Sequence, residues 1–182
     1  MKPCTNCERQ NADDAIFCDA CGHGFDKYNR LGGWLLVFVI FLICSIGLYF
    51  YIINSAVTRL ANYHSFSTMP GFADFYPNYF SWAIVSLVSA ITFLALHIWL
   101  IIKIFRRRAG FLRLYQIMRL LGMIEYPIML LFSYTTPGAT IRRTLFDLLG
   151  LILFTIYFCL SKRVRAYMGS DAYIKKAWIK FR

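Results

Sequence analysis

Charge is scarce in this sequence, and negative charge is the scarcer kind. Only 16% of the 182 residues are charged, whereas 59% are apolar and the mean hydropathy is +0.53. A composition this poor in charge excludes an ordinary soluble domain and predicts a protein that lies largely in a bilayer. The nine Asp and Glu residues are outnumbered by 20 Lys and Arg residues, which leaves a formal net charge of +11.

Such an excess of cations can indicate nucleic-acid binding, but their distribution argues against it. Residues 1–30 hold four Lys and Arg against five Asp and Glu, whereas residues 31–182 hold sixteen against four. The cations of the longer segment flank apolar runs, where a membrane protein places them. We therefore expect no nucleic-acid partner, and instead contact with anionic lipid headgroups at the cytoplasmic face.

Two functional signatures are also missing. Residues 1–30 contain no apolar segment followed by a small-residue cleavage site, so we expect no cleavable signal peptide and a first span that acts as its own targeting signal. No Ser-His-Asp, Cys-His or carboxylate pair has a recognisable catalytic spacing. The sequence therefore does not predict an enzyme.

Four apolar stretches predict four transmembrane helices. The stretch 31–53 has 23 residues without a formal charge, and as a helix it would reach roughly 34 Å, which is enough to cross a hydrocarbon core. The other spans are predicted at about 81–105, 111–134 and 145–161. The predicted fold class is an all-α membrane protein, with a transmembrane domain over 31–168.

The distribution of Lys and Arg orients these spans. The turn between the second and third spans and the tail after the fourth together carry twelve of them, whereas the connections on the other side carry Arg59, Arg142 and Arg143. Because cytoplasmic loops are the Lys- and Arg-rich ones, both termini are predicted to be cytoplasmic. The expected location is the bacterial inner membrane, crossed several times.

The N-terminal segment 1–26 carries two Cys-x2-Cys knuckles, Cys4 with Cys7 and Cys18 with Cys21. Two such turns close a tetrahedral four-sulfur shell, and Zn²⁺ is the ion that favours it. Free thiols or disulfides are the alternative, disfavoured in a reducing cytoplasm. A closed shell leaves no position for water, so the predicted zinc ribbon is structural rather than catalytic.

This segment resembles the short zinc ribbons found at the N-terminus of many bacterial membrane proteins. Their pattern is Cys-Pro-x-Cys-Gly, followed by Asn, Ala and Phe-Cys-x-x-Cys-Gly. The positions that match are Asn11, Ala15, Phe17 and Gly22. Thr5 and Glu8 stand where Pro and Gly are usual.

Two segments of the apolar region resemble the bacterial membrane family known as domain of unknown function 2569. The first span opens with Gly-Gly-Trp-Leu-Leu at 32–36, and the last ends with Tyr-Phe-Cys-Leu-Ser-Lys-Arg-Val at 157–164, with Arg142 just before that span. The family ending is Trp-x-Pro-Tyr-Phe-x-x-Ser-x-Arg-Val, so Phe154 and Ile156 replace its Trp and Pro. The resemblance implies a four-span inner-membrane protein and no assigned activity.

Ionisable residues inside the spans are the remaining clues. Glu125 falls near the midplane of the third span, where a carboxylate needs a partner. Arg119 is six residues away, about 240° around the helix, so it faces elsewhere and is expected to snorkel toward the cytoplasm. His97 shares a weakly polar stripe with Ser86 and Ser89. Glu125 and His97 form either a proton or ion path or the hydrogen bonds that fix helix packing.

Two segments outside the spans have a distinctive composition. The predicted outer loop 54–80 is rich in aromatic residues and reads as a lid on the membrane surface or as a ligand-gathering surface. The tail 163–182 reads as a basic amphipathic helix on anionic lipid or as an ordinary stop-transfer tail, with a break at Gly169-Ser170. The loop aromatics are Tyr63, Phe66, Phe72, Phe75, Tyr76, Tyr79 and Phe80, and the apolar tail face is Val164, Tyr167, Met168, Ile174, Trp178 and Phe181.

The sequence therefore supports two functional hypotheses. The first is an integral membrane protein whose zinc ribbon, joined by a linker at 27–30, acts as a structural module that binds a protein partner. The second is a small transporter or lipid-handling protein that uses Glu125 and His97 inside the membrane.

Overall fold

The computed structural model describes residues 1–25, 31–75, 77–131 and 135–180. The predicted linker 27–30 lies outside the described residues, as do Tyr76, Tyr134, Phe181, Arg182 and the side chain of Phe75. In chain order the elements are strands β1 (Lys2–Pro3) and β2 (Gln10–Asn11) and helices α1 (Trp34–Ala61), α2 (Tyr63–Ser67), α3 (Phe72–Phe75), α4 (Tyr79–Phe105), α5 (Phe111–Leu131), α6 (Pro137–Leu160), α7 (Lys162–Met168) and α8 (Ala172–Lys175).

Four of these helices, α1, α4, α5 and α6, are long and apolar enough to cross a membrane, with 28, 27, 21 and 24 residues. Much of their outer surface is apolar and exposed, as at Trp34, Phe50 and Trp99, which suits contact with lipid rather than water. The predicted fold class, a helical membrane protein with four transmembrane helices, is confirmed.

Helices α1 and α6 extend beyond the apolar stretches that predict them. Helix α1 continues to Ala61, through sequence first assigned to the outer loop, and α6 begins at Pro137. Pro137 suits the first position of a helix because it has no backbone N–H to satisfy. The hydroxyl of Thr136 caps the same end by accepting from the backbone N of Ala139 at 3.3 Å. The charged residues at 142 and 143 therefore lie on a helix.

The four helices form two pairs. Helix α1 packs along α4 and α5 along α6, while α4 and α5 join the pairs. Helices α1 and α6 meet at Phe38, whose ring centroid lies 5.0 Å from those of Phe154 and Phe158. We call this end of the bundle, where α1 begins and α6 ends, the terminal end, and the opposite end the loop end.

An aromatic cluster, which we call the plug, fills the terminal end. Its rings contact each other largely edge to face at centroid distances of about 5 to 6 Å, the geometry that aromatic pairs prefer. The hydroxyl of Tyr173 donates to the carbonyl of Phe158 at 2.7 Å and so ties α8 to α6. The plug consists of Phe38, Phe111, Tyr115, Phe154, Phe158 and Tyr173.

The tail folds back onto the terminal end. Val164, Tyr167 and Met168, which the sequence analysis assigned to a lipid-facing surface, are buried in the protein, so that expectation is corrected for this part of the tail. Packing against the bundle removes this apolar face from water just as contact with lipid would. The predicted break is present, because Gly169 has a φ of 65° and ends α7.

The amide of Gln116 locks the last part of the tail. This side chain of α5 is fully buried. It accepts from the backbone N of Trp178 at 2.8 Å and donates to the carbonyl of Ile179 at 2.8 Å. The residues after α8 are therefore hydrogen-bonded into the bundle rather than free.

At the loop end, two short helices gather aromatic rings. The ring of Tyr63 in α2 lies 4.9 Å from that of Phe80, and Phe72 in α3 lies 5.3 Å from Tyr79. The guanidinium of Arg59 lies 3.7 Å from the ring centroid of Trp82.

The ribbon rests against the tail. Strands β1 and β2 pair in antiparallel fashion, and a bridge joins Phe17 to Gly24. A Cβ added at Gly22 would lie 3.0 Å from the carbonyl oxygen of Gly169, and a Cβ added at Gly169 would lie closer still to that of Gly22. Only glycine fits at both positions of this backbone contact, because both φ angles are also positive.

Candidate functional site

The four ribbon cysteines converge on one point. Their sulfur atoms all lie within 4.8 Å of one another. The Sγ atoms of Cys4 and Cys21 are 3.6 Å apart, as are those of Cys7 and Cys18. A tetrahedral zinc shell with bonds of about 2.3 Å sets its sulfurs about 3.8 Å apart. The four sulfurs could therefore hold a metal ion with little adjustment.

The two knuckles share one backbone design. The amide N of Glu8 donates to the carbonyl of Cys4 at 2.8 Å, and that of Gly22 donates to the carbonyl of Cys18 at 2.8 Å. Both residues have positive φ angles, 59° for Glu8 and 70° for Gly22. Glu8 thus occupies, at some strain, the position where the ribbon pattern has glycine.

Backbone amides tune the thiols of the second knuckle. The amide of Cys21 lowers the pKa of Cys18 to about 6, although burial opposes it. The amide of His23 and the side chain of Asn6 lower the pKa of Cys21. Since metal binds the thiolate, these donors favour the metal-binding form of the second knuckle.

Cys7 holds its proton more tightly. The amide of Arg9 lowers its pKa, but hydrogen bonding with Cys21, burial, and hydrogen bonding with the other two thiols together outweigh that amide and raise the pKa to about 12. Metal binding must displace this proton, because the ligand is the thiolate.

A second candidate site lies inside the bundle, where α1, α4, α5 and α6 enclose a cavity of about 350 Å³ that we call the cleft. Its size is within the range of small-molecule sites. All four helices contribute, and the lining mixes aromatic rings with charged groups. Its ionisable lining residues include Tyr49, His97, Arg119, Glu125, Arg143 and Asp147.

The Arg119 side chain forms an ion pair across the cleft wall. Its Nη1 lies 2.7 Å from Oδ1 of Asp147, with side chains 28% and 16% exposed. The expectation that Arg119 snorkels toward the cytoplasmic side is wrong, because Asp147 of α6 supplies a carboxylate partner at the depth of Arg119 in the bundle. Gly122 and Gly150 leave the necessary room, since an added Cβ would lie 3.0 Å from the Asp147 carboxylate and 3.4 Å from the Arg119 guanidinium.

Glu125 and Arg143 have neutral partners. The carboxylate of Glu125 accepts a hydrogen bond from the hydroxyl of Ser89 in α4, which supplies the partner that the sequence requires. The Nε of Arg143 donates to the hydroxyl of Tyr126 at 2.9 Å. Ionisable groups in spans usually face a cavity or a partner helix and mark functional positions.

His97 lies on the opposite wall. Its Nδ1 is 2.8 Å from the carbonyl of Phe93, and its ring centroid is 5.0 Å from that of Tyr49 in α1. His97 and Glu125 line the same cleft, but no hydrogen bond between them occurs among the residues that the structure describes. The stripe that carries His97 and Ser89 faces neighbouring helices, as its sequence pattern predicts.

The plug bounds the cleft toward the terminal end, and exposed rings lie on its rim. Phe38, Tyr115 and Phe154 of the plug form its floor. Between α1 and α6, its rim carries Phe41 and Phe146, which are 64% and 66% exposed and point toward the surroundings of the bundle. Part of the cleft rim therefore lies on the apolar outer surface of the bundle.

Sequence reasoning missed Asp147, Arg143 and Tyr49 as cleft residues. A signal for Asp147 existed: it is a lone carboxylate within an apolar helix, four residues after Arg143 and hence on the same face. Tyr49 carries no such signal, because a tyrosine in a span is ordinary. Tyr49 lines the cleft because α1 is rotated so that this ring faces His97.

Comparison with known proteins places this architecture among membrane proteins. Residues 28–167 match the family described as "Protein of unknown function (DUF2569)". The chain is 31% identical over 142 residues to "Inner membrane protein YdgK" of Escherichia coli (strain K12), which covers 75% of the chain and 92% of that protein. No solved structure matches. The family match begins after the four cysteines, so it includes the cleft and excludes the ribbon.

Proposed function

This chain belongs to the DUF2569 family of unknown function, and from that premise we propose that it handles a small polar solute or a lipid headgroup in the cleft. It does so as a multi-pass protein of the bacterial inner membrane. The E. coli relative is an inner membrane protein by name. The bias of twelve cations against three supports cytoplasmic termini.

The observation that carries this proposal is the concentration of charge around an enclosed space inside the bundle. Arg119, Glu125, Arg143 and Asp147 all line one cavity, although a charged residue in a span is costly by at least about 2.5 kcal/mol. Helix packing alone needs no cavity at such a place. A group bound in the cleft would use these charges.

The side chains have separate tasks in this proposal. The Arg119–Asp147 pair joins α5 to α6 and shapes the wall, whereas Glu125 and His97 contact the bound group. The plug closes the terminal side. Transport across the membrane would therefore need the plug rings to separate, whereas lipid handling within one leaflet would not. Neither mode needs catalysis, and we assign none.

Reconstitution in liposomes tests the proposal. We expect the full-length protein to bind lipid or conduct protons or solute, and the double variant Glu125→Gln with His97→Ala to lose that activity while its thermal unfolding changes little. Cys44→Ala, on the exposed face of α1, is the matched control. Unchanged flux and unchanged lipid binding in the double variant would sink the proposal.

A second candidate function concerns the ribbon, which we propose to hold a structural Zn²⁺ and to bind a protein partner. Residues 5–10, around the first knuckle, are all exposed, whereas the second knuckle rests against Gly169. A zinc-ordered loop of this kind is a suitable contact surface. The exposed tail cations Lys162, Lys175, Lys176 and Lys180 would add contact with anionic headgroups.

Crosslinking from native membranes tests this second function. A partner that copurifies with the full chain should be lost with Cys18→Ser and with removal of residues 1–26, and should persist with Cys44→Ala. A partner that survives loss of the knuckle contradicts it. Zinc content, measured per chain, checks the metal separately.

A further inference from the structure

The charges that line the cleft are unequally matched. Arg119 and Asp147 pair with each other at 2.7 Å. Glu125 and Arg143 bind the hydroxyls of Ser89 and Tyr126, and neither forms an ion pair within residues 1–25, 31–75, 77–131 and 135–180. The cleft therefore presents one carboxylate and one guanidinium to a ligand.

A ligand that satisfies both groups carries both charges. A purely anionic ligand would match Arg143 and leave the carboxylate of Glu125 facing it, and a purely cationic one would do the reverse. Leaving one charge unmatched in a poorly solvated site is strongly unfavourable. We propose that the cleft binds a zwitterionic phosphoethanolamine headgroup, with Glu125 at the ammonium and Arg143 at the phosphate; this rests on the proposed function of the cleft.

The neighbouring groups suit each end of such a headgroup. The Nε of Arg143 is held by Tyr126, and the rest of its planar guanidinium remains to meet phosphate oxygens in a two-pronged contact. The rings of Tyr49 and Phe93 line the same cleft as Glu125. An ammonium over such rings gains a further attraction.

Depth within the membrane agrees with a lipid. Glu125 is six residues before the end of α5, and Arg143 is six residues after the start of α6. At 1.5 Å per residue, both lie about 9 Å below the helix ends at the loop end. They sit at one level on the loop side of the helix middles, so Glu125 lies nearer the loop end than the midplane position that its sequence predicts.

The apolar rim of the cleft favours the bilayer as the source. Phe41, Leu48 and Phe146 border the cleft and are 64%, 51% and 66% exposed on the lipid-facing surface. Acyl chains can rest on this apolar rim while the headgroup occupies the interior. A soluble zwitterion would gain nothing from such a rim.

The test uses the full-length protein in detergent and counts bound lipids by native mass spectrometry. Phosphatidylethanolamine and phosphatidylglycerol with identical acyl chains are offered together, and glycerophosphoethanolamine, which has no chains, is offered alone. We expect at least about a tenfold preference for phosphatidylethanolamine, the scale of one charge-assisted hydrogen bond. Glycerophosphoethanolamine should bind far more weakly.

Single variants assign the two charges. Glu125→Gln should abolish the preference between the two lipids while some binding of both persists. Arg143→Gln should weaken both lipids about tenfold. Arg142→Gln, the adjacent exposed position on α6, is the matched control and should change neither. Thermal unfolding of each variant confirms that it is folded.

The outcomes separate phosphoethanolamine binding from the more general proposal that the cleft binds a ligand. Equal binding of the two lipids by the unmodified protein, or a preference that survives Glu125→Gln, overturns the phosphoethanolamine assignment and leaves the proposed function standing. Tight binding of glycerophosphoethanolamine overturns the bilayer as source. If Arg142→Gln acts like Arg143→Gln, surface charge explains the binding and the site is wrong. Failure of the proposed function itself would show instead as unchanged activity in the Glu125 and His97 double variant.

Discussion

The plug and the cleft of the membrane bundle differ in packing and in charge. At the terminal end, aromatic rings fill the space between the helices, and polar groups such as Gln116 and the Tyr173 hydroxyl are hydrogen-bonded in the interior. Between the plug and the loop end, all four long helices line the cleft, and charged groups face it. The contrast shows that Arg119, Glu125, Arg143 and Asp147 are gathered at the cleft, whereas rings and neutral hydrogen bonds hold the plug.

The same contrast separates stability from binding. A region that is fully packed and hydrogen-bonded tolerates little change and has no space for a ligand. A cavity with unpaired charges departs from the best packing, and natural sequences make such departures at functional sites. We therefore expect the plug to stabilise the fold and the cleft to bind the ligand. Five measurements test this division and the stability of the ribbon that contacts the terminal end.

The largest effect concerns the ribbon that covers the terminal end. Cys18→Ser, or removal of the metal by a chelator, should unfold residues 1–25, because structural zinc supplies on the order of 10 kcal/mol to modules of this size. Bound zinc should fall from one per chain to none, and limited proteolysis should cut the ribbon while the helices persist. A Cys18→Ser chain that retains its metal would refute the four-sulfur site.

The next effect compares one phenylalanine of the plug with one of the cleft. Phe158→Ala in the plug should destabilise the protein by about 4 kcal/mol, since it removes a fully buried ring. Phe146→Ala on the cleft rim should cost about 0.5 kcal/mol or less, because that ring is largely exposed to lipid. Equilibrium unfolding in mixed micelles measures both. Equal losses would erase the distinction between the plug and the cleft.

The third prediction concerns the ion pair between Arg119 and Asp147 in the cleft wall. Asp147→Ala should destabilise by about 3 kcal/mol because it leaves the Arg119 guanidinium without its carboxylate. The double variant Arg119→Met with Asp147→Leu should recover most of that loss, since no charge then stays unpaired. If the double variant is as unstable as the single one, the pair is not the source of the effect.

A smaller effect tests how the ribbon is attached. Gly169→Ala should cost about 2 kcal/mol, because a side chain at a positive φ is strained and its Cβ would strike the backbone of Gly22. Faster proteolysis of the ribbon should accompany the loss. Gly138→Ala, which meets open space, is the control and should leave proteolysis unchanged.

The smallest effect lies in the first knuckle. Glu8→Gly should stabilise the metal-bound ribbon by about 1 kcal/mol, because glycine adopts the positive φ of 59° found there without strain. Competition with a zinc chelator measures the gain. Ala at the same position should give none of it.

Sequence reasoning found the features that depend on one segment at a time. The cysteine spacing predicts the convergence of four sulfurs, and hydropathy predicts the four helices. The position of Glu125 predicts that it needs a partner. Each of these follows from local spacing along the chain.

What escaped prediction depends on how the helices are rotated about their axes. Arg119 and Asp147 lie 28 residues apart on different helices, and no periodicity within either helix shows that they meet. The tail escaped for another reason. Its apolar face predicts burial correctly, but hydropathy does not distinguish burial in lipid from burial against α5 and α6.

The contact between Gly22 and Gly169 joins the beginning of the chain to its end, and this sets an order of assembly. During synthesis, residue 22 leaves the ribosome long before residue 169 exists, and N-terminal parts fold first. The four cysteines are therefore made, and could bind the proposed metal, while the last helix is still being made. The contact site forms only when α7 is complete, so a docked ribbon requires that all four long helices have already been made.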